Sequence, residues 1–258
     1  MMEDSLFSLD GKVALITGGN GGLGQAIARG FRDFGARVAV TGRNPEKNEL
    51  MRQELGEAGT VFDLDVRDED AVQKTMAHVE ERFGRLDILV NSAGNAHGGQ
   101  LIDFRLEDWN AVLNTHLTGS FLCAKHAATS MIAHSRGGQI INISSIYAVF
   151  GPPQFADYAT AKAGLLGLTR ALAVELAPHN IQVNAIVPGW FPTDLTGFGP
   201  VTPFHDEMRR RTPAGRWGDP QEFVGAAVLF ASRASSFITG TDLIVDGGLT
   251  VSDRLLHP

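Results

Sequence analysis

The chain is expected to form a doubly wound α/β fold. Short β-rich runs alternate with longer helical patterns, the runs are almost continuously apolar, and a glycine-rich turn separates the first run from the first helix. Seven runs read as strands: VALIT at 13–17, RVAV at 37–40, TVFDLD at 60–65, LDILVNS at 86–92, QIINIS at 139–144, IQVNAIV at 181–187 and DLIVD at 242–246. Apolar strands separated by helices belong to a parallel sheet buried on both faces, because right-handed crossovers lay the helices over it. No repeat, low-complexity tract or linker divides the 258 residues, so residues 1–258 are read as one domain. The irregular stretch is 188–214, with five prolines, after the sixth strand. A long insertion there is expected to serve as a substrate-binding lid at about 189–214.

Composition narrows the function classes. Apolar residues make up 43% of the chain and charged residues 20%, ordinary for a globular protein. The formal charge of −7 argues against electrostatic capture of nucleic acid or an anionic membrane, so a small molecule is the expected partner. Cys123 is the only cysteine, which rules out an intrachain disulfide and fits a reducing compartment. The acidic start MMEDSLFSLDGK lacks the apolar core of a signal peptide, and cytoplasm is the expected location. No metal is expected.

The turn Thr17-Gly18-Gly19-Asn20-Gly21-Gly22-Leu23-Gly24 follows the first strand and opens a helix. Glycines let the backbone approach a pyrophosphate closely, and the free N–H groups at the helix start favour its charge. A dinucleotide site is therefore expected. An NAD-selective site places an acid at the end of the second strand to hold the ribose 2′-hydroxyl. Here the chain reads Thr41-Gly42-Arg43-Asn44, and Arg43 suits a 2′-phosphate, so NADP is favoured and NAD remains a second cofactor.

Only two tyrosines occur, and Tyr158 alone has a lysine, Lys162, four residues on. On a helix that spacing puts the phenol and ammonium on one face. Hydride delivery to a ketone builds negative charge on oxygen, which Tyr158 can neutralise by giving a proton. A free phenol titrates near ~10, so a fixed cation is needed to lower it, and Lys162 is the expected source. Ser145 ends the fifth strand, where its hydroxyl can bond the substrate oxygen, while Ser144 is expected to face elsewhere.

Taken in order, Thr-Gly-x-x-x-Gly-x-Gly, Asn-x-Ala-Gly, Ser and Tyr-x-x-x-Lys resemble the short-chain dehydrogenase/reductase family over nearly the whole chain, which implies a Rossmann-type sheet. The resemblance implies cofactor contacts from Gly18, Asn20, Gly22, Leu23, Gly24, Asp65, Val66, Asn91, Ala93, Gly94, Tyr158, Lys162, Pro188, Gly189 and Thr193. It makes Ser145, Tyr158 and Lys162 the catalytic group. The family's fourth catalytic residue is an asparagine whose carbonyl holds a relay water, and the aligned position is His116, which keeps the carbonyl and adds a ring. Asn114, two positions earlier, turns away from that face.

Tyr147 and Trp190, with Ser145 and Tyr158, are expected to contact substrate. Ile146 and residues 151–155 form one wall, and Phe191, Phe198 and Phe204 supply apolar area. Asp194, His205 and Arg209 to Arg211 are available to orient polar groups. Within the family, the chain is similar to sugar-acid and polyol dehydrogenases and to 3-oxoacyl-carrier-protein reductases. The expected activity is hydride transfer between NADP and a small secondary alcohol or ketone, with sugar acids or polyols favoured. The alternatives are a 3-oxoacyl-thioester reductase and a non-catalytic NADP-binding regulator. Val174 stands where such reductases place an arginine for their acidic carrier, which weighs against the thioester. The resemblance also implies a homotetramer.

Overall fold

The structure is a computed structural model that describes residues 5–196 and 202–252. Its seven strands are β1 (Val13–Thr17), β2 (Arg37–Gly42), β3 (Gly59–Asp63), β4 (Ile88–Asn91), β5 (Gly138–Ile143), β6 (Ile181–Pro188) and β7 (Asp242–Val245). All neighbours are parallel, in the order β3-β2-β1-β4-β5-β6-β7. The chain therefore steps outward from β1 in one direction, then returns to begin again at β4. Thr17 pairs in register with Asn91 where these two strands end. This is the switch point at whose carboxyl ends such sheets bind ligands.

Each strand feeds two cores because successive side chains point to opposite faces. In β1, Ala14 and Ile16 join one core while Val13 and Leu15 join the other. The helices are α1 (Gly22–Asp33), α2 (Pro45–Leu55), α3 (Glu69–Phe83), α4 (Leu106–Leu113), α5 (Gly119–Ala133), α6 (Ala156–Leu176), α7 (Pro203–Arg211) and α8 (Pro220–Ala231). Phe31 of α1, Met51 of α2 and Phe223 and Phe230 of α8 fill the first core. Met76 of α3, Cys123 and Met131 of α5 and Leu176 of α6 fill the second. Burial alone pushes the Cys123 thiol up to about 12, which makes it a packing residue with little thiolate at neutral pH.

Only β1 keeps the bounds read from the sequence; β5 ends at Ile143, so Ser144 and Ser145 follow the strand instead of closing it. Strand β3 ends at Asp63, so Asp65 and Val66 lie on the following loop. Strand β4 starts at Ile88; the buried Asp87 carboxylate instead accepts the Val13 N–H at 2.9 Å and pairs with Arg85. The stretch 188–214, expected to be irregular, contains α7. Thr202 caps it by accepting the His205 N–H, and Pro203 fits its first turn. Phe198 lies outside the described residues. No helix among the described residues is long and apolar enough to cross a membrane.

Close packing of α1 on α8 depends on Gly30, where a Cβ would come within 2.2 Å of Val224 Cγ1. Gly30→Ala should destabilise the chain by about 1–3 kcal/mol through overpacking. Adding Val224→Ala should recover part of that loss, as read from denaturant midpoints.

Candidate active site

The cofactor turn is shaped by two close approaches and a pair of hydrogen bonds. Gly18 has φ +64°, and a Cβ on it would meet Ala93 Cα at 2.8 Å; a Cβ on Gly24 would meet the Gly18 carbonyl at 2.5 Å. The Thr17 hydroxyl accepts the N–H groups of Ser92 and Ala93 at 3.1 and 3.2 Å, joining the ends of β1 and β4. Gly21 occupies the N-cap of α1 without a side-chain cap, so no side chain of the turn competes for the first N–H groups. The Asn20 amide donates to Asn48 Oδ1 at 2.6 Å and fills the space over Gly42.

A cleft of about 460 Å³ runs along this turn, lined by Gly18, Asn20, Gly22, Leu23, Gly94, His116, Tyr158, Lys162, Pro188 and Thr193. An adjoining cavity holds Arg43, Asp65, Val66 and Ala93. Arg43 is half-exposed and stands 4.0 Å from Asp65. Asp65 is already engaged by Arg67 through Nε at 2.9 and 3.1 Å and Nη2 at 2.5 Å, and this pairing holds its carboxyl below the usual range. Val66 is buried and packs over Gly119. Thr41 Oγ1, Asn95 Oδ1 and His116 Nδ1, on residues that line these cavities, are buried without a partner, as is Asn91 Oδ1, whose residue lines neither. A helix start that carries no side-chain cap, a cleft along it and unpaired polar atoms fit a dinucleotide.

Asn91 also has a structural partner that the sequence did not disclose. Its Nδ2 donates to Asn142 Oδ1 at 2.9 Å; Asn142 Nδ2 donates to Thr169 Oγ1 at 2.9 Å, and Thr169 donates to the Leu165 carbonyl at 2.8 Å. A buried side-chain network thus ties β4 and β5 to α6, the helix that carries Tyr158 and Lys162. Asparagines inside apolar strands were the available signal.

Ser145 and Tyr158 line a second cavity, of about 320 Å³, with Ile146, Tyr147, Phe155, Gly189, Trp190, Phe191 and Phe204. Tyr158 borders both this cavity and the cofactor cleft. Ser145 accepts the Tyr147 N–H at 3.1 Å, starting the short turn after β5. Ser144 lines the other cavity, and its hydroxyl donates to the Lys162 carbonyl at 3.0 Å. Trp190 stands between Tyr147, at 5.9 Å between ring centroids, and Phe204, at 5.1 Å. His205 stacks on Trp217, Arg209 and Arg210 pair with Asp206 and Glu207, and Asp194 pairs with Lys47.

The electrostatics correct one expectation. Burial pushes the Tyr158 phenol up to about 12, opposed by its hydrogen bond with Ser145. Burial pulls Lys162 down to about 7, its Nζ donates to the Ile143 carbonyl at 2.7 Å, and it stands 5.4 Å from the Tyr158 ring centroid. Desolvation therefore outweighs the Ser145 hydrogen bond, and the lowering expected from Lys162 is absent.

His116 lies on a π-helical turn, Asn114–Thr118, inserted between α4 and α5, and Asn114 faces outward as expected. Its ring is buried edge-on against Tyr158, with centroids 5.2 Å apart and planes at 90°. Nε2 lies 2.6 Å from the Asn95 carbonyl and 3.1 Å from the Asn95 N–H, so it donates to the first or accepts from the second according to the tautomer, while Nδ1 has no partner. The His116 carbonyl accepts the Ser120 hydroxyl at 2.6 Å. Gly94 makes room, since a Cβ there would sit 2.5 Å from the ring. Asn95 and Ala96, both at the cleft, were missed because they follow the recognised Asn-x-Ala-Gly segment.

Together, a glycine turn at the switch point and a Ser-Tyr-Lys group between two cavities define a nicotinamide-dependent oxidoreductase. The chain matches, over residues 18–250, the family model described as enoyl-(acyl carrier protein) reductase. It is 38% identical over 256 residues to gluconate 5-dehydrogenase of Gluconobacter oxydans, covering 98% of this chain and 100% of the relative. It is 37% identical to a 3-oxoacyl-acyl-carrier-protein reductase of Thermotoga maritima, covering 94% and 99%. A crystal structure of a gluconate 5-dehydrogenase from Burkholderia cenocepacia in complex with NADP and tartrate superposes with a TM-score of 0.89 at 39% identity, covering 96% and 98%. The chain belongs to the short-chain dehydrogenase/reductase family and acts on CH–OH groups.

Burial pulls His116 down to about 3 from 6.5, aided by the nearby Lys162 charge. Between those values the unfolded chain binds more protons at this site than the folded one. The stability due to the neutral ring is therefore fully present above about pH 6.5 and is lost as pH falls toward about 3. His116→Asn should flatten the dependence of unfolding free energy on pH between ~4 and ~6, by at most about 1.4 kcal/mol per pH unit.

Proposed function

We propose that the chain is an NADP-preferring oxidoreductase that interconverts a small secondary alcohol and its ketone, of sugar-acid or polyol type, with Tyr158 as acid and base. The observation that carries this reading is that Tyr158 borders both cavities, with Ser145 on the substrate side and Lys162 on the cofactor side. Relatives named for gluconate support the substrate class. Arg43 supports NADP, because Arg67 already holds Asp65 and leaves the Arg43 fork available to a phosphate.

A dinucleotide held in the cofactor cleft would supply or accept the hydride. Ser145 donates a hydrogen bond to the substrate oxygen, and Tyr158 donates its proton as charge develops there. A phenol at about 12 is protonated at neutral pH and ready for the reductive direction. Lys162 holds the nicotinamide ribose and returns a proton to Tyr158, and His116 serves the path between Lys162 and solvent. Gly18, Asn20, Gly22, Leu23 and Gly24 hold the pyrophosphate end; Asp65 and Val66 hold the adenine; Asn91, Ala93, Gly94, Pro188, Gly189 and Thr193 border the nicotinamide end. Tyr147 and Trp190 contact the substrate beneath a lid formed by about 189–214. A cytoplasmic homotetramer is assigned, with exposed Leu106, Phe121, Val174 and Phe237 among the apolar residues available for its interfaces.

The test is turnover with NADP(H) and NAD(H) across sugar acids, polyols, cyclic alcohols and short 3-oxoacyl esters. Tyr158→Phe should lower kcat by roughly a thousandfold. Ser145→Ala should also lower it severely, and Ser144→Ala much less, through the Lys162 carbonyl alone. Arg43→Asp should swing the NADP/NAD ratio toward NAD; an unchanged ratio would sink its assigned role. Preference for oxoacyl esters would select the thioester reading, and tight NADPH binding without turnover would select the regulator.

A further inference from the structure

We propose that Lys47 is a phosphate-binding residue of the cofactor cleft and that the Asp194 carboxylate is its internal competitor. The pair would link arrival of the dinucleotide to the segment that follows β6. This inference rests on the dinucleotide reading of the cleft.

Lys47 and Asp194 lie 147 residues apart yet form an ion pair, Nζ to Oδ2. Both line the cofactor cleft. The pair lies over the glycine turn: the point a Cβ on Gly21 would occupy is 3.5 Å from Asp194 Oδ2 and 3.9 Å from Lys47 Nζ. Gly21 is the uncapped start of α1. A carboxylate therefore stands at the end of the helix that favours anions, where a pyrophosphate would also be held. A diphosphate brings more charge and more acceptor oxygens than one carboxylate, so Lys47 gains by exchanging partners.

The position of Lys47 is not explained by its own helix. It sits in the first turn of α2, where the dipole disfavours a cation, while Asn44 already caps that end. The exposed pair with Asp194 contributes little to stability, so exchange costs little: side chains are 42% and 57% exposed. Lys47 is also shared with the neighbouring cavity that contains Arg43, Asn44 and Asp65. It thus stands between the expected pyrophosphate and 2′-phosphate positions. Asp194 directly follows Thr193, whose side chain lies 3.4 Å from the Cβ point of Gly22, so release of Asp194 acts on the same segment that borders the turn.

Equilibrium titrations of the full chain with NADPH and NADH, without substrate, test this. Lys47→Met should weaken NADPH binding about tenfold, as expected for loss of a charged hydrogen bond. Asp194→Asn should tighten it about two- to fivefold, by removal of an exposed competing charge. In the Lys47→Met background, Asp194→Asn should no longer act through Lys47, and its effect should shrink. Equal weakening of NADPH and NADH assigns Lys47 to the pyrophosphate; weakening of NADPH alone assigns it to the 2′-phosphate. Weaker binding in both single variants would mark a structural strap and overturn the proposal, as would unchanged constants in variants with normal melting curves. Wild-type protein that bound neither nucleotide would overturn the dinucleotide reading as well.

Discussion

The site depends on the divergence of the chain at β1 and β4. These neighbouring strands send their connections to opposite sides of the sheet, so their carboxyl ends leave a crevice that no crossover covers. The Thr17 hydroxyl holds the crevice at a fixed width by accepting the Ser92 and Ala93 N–H groups. The glycine turn can then face the end of β4 at backbone contact, which Gly18 permits because it carries no Cβ against Ala93. Every candidate group for chemistry is placed relative to that junction.

A second constraint keeps the reacting side chains rigid. The Asn91, Asn142 and Thr169 network crosses from the sheet into α6, while Ser144 bonds the carbonyl of Lys162 and Lys162 bonds the carbonyl of Ile143. These buried bonds favour one arrangement, because any other would leave further groups unpaired in a low-dielectric interior. The same burial sets the electrostatics. It favours neutral Tyr158 and neutral His116 and weakens the hold of Lys162 on its proton.

The substrate side is built differently. Aromatic side chains from the turn after β5, the end of β6 and α7 meet edge to face, with Trp190 between Tyr147 and Phe204. Quadrupole geometry aligns such rings without hydrogen bonds, so the wall has shape but few polar contacts of its own. The hydroxyl-bearing residues that line this cavity are Ser145, Tyr147, Tyr158, Thr193 and Thr196, and polar recognition there must draw on them and on groups at the rim.

The fold was legible because strand alternation and apolar runs are local consequences of a sheet buried on both sides; VALIT at 13–17 coincides with β1. The glycine turn, Ser145, Tyr158 and Lys162 were legible because their chemistry fixes residue type and spacing. The helix α7 was not, since its cap at Thr202 competes with a surrounding sequence rich in proline. Nor was the π-helical turn that buries His116 against Tyr158 and Gly94, because that contact joins α4, α5, α6 and the loop after β4. The sequence by itself determined the sheet, the glycine turn and the spacing of Ser145, Tyr158 and Lys162, all set by short-range periodicity and stereochemistry. Only the tertiary structure decided the burial that shifts Tyr158, Lys162 and His116, and which distant charge meets Lys47, because both depend on packing between segments far apart in the chain.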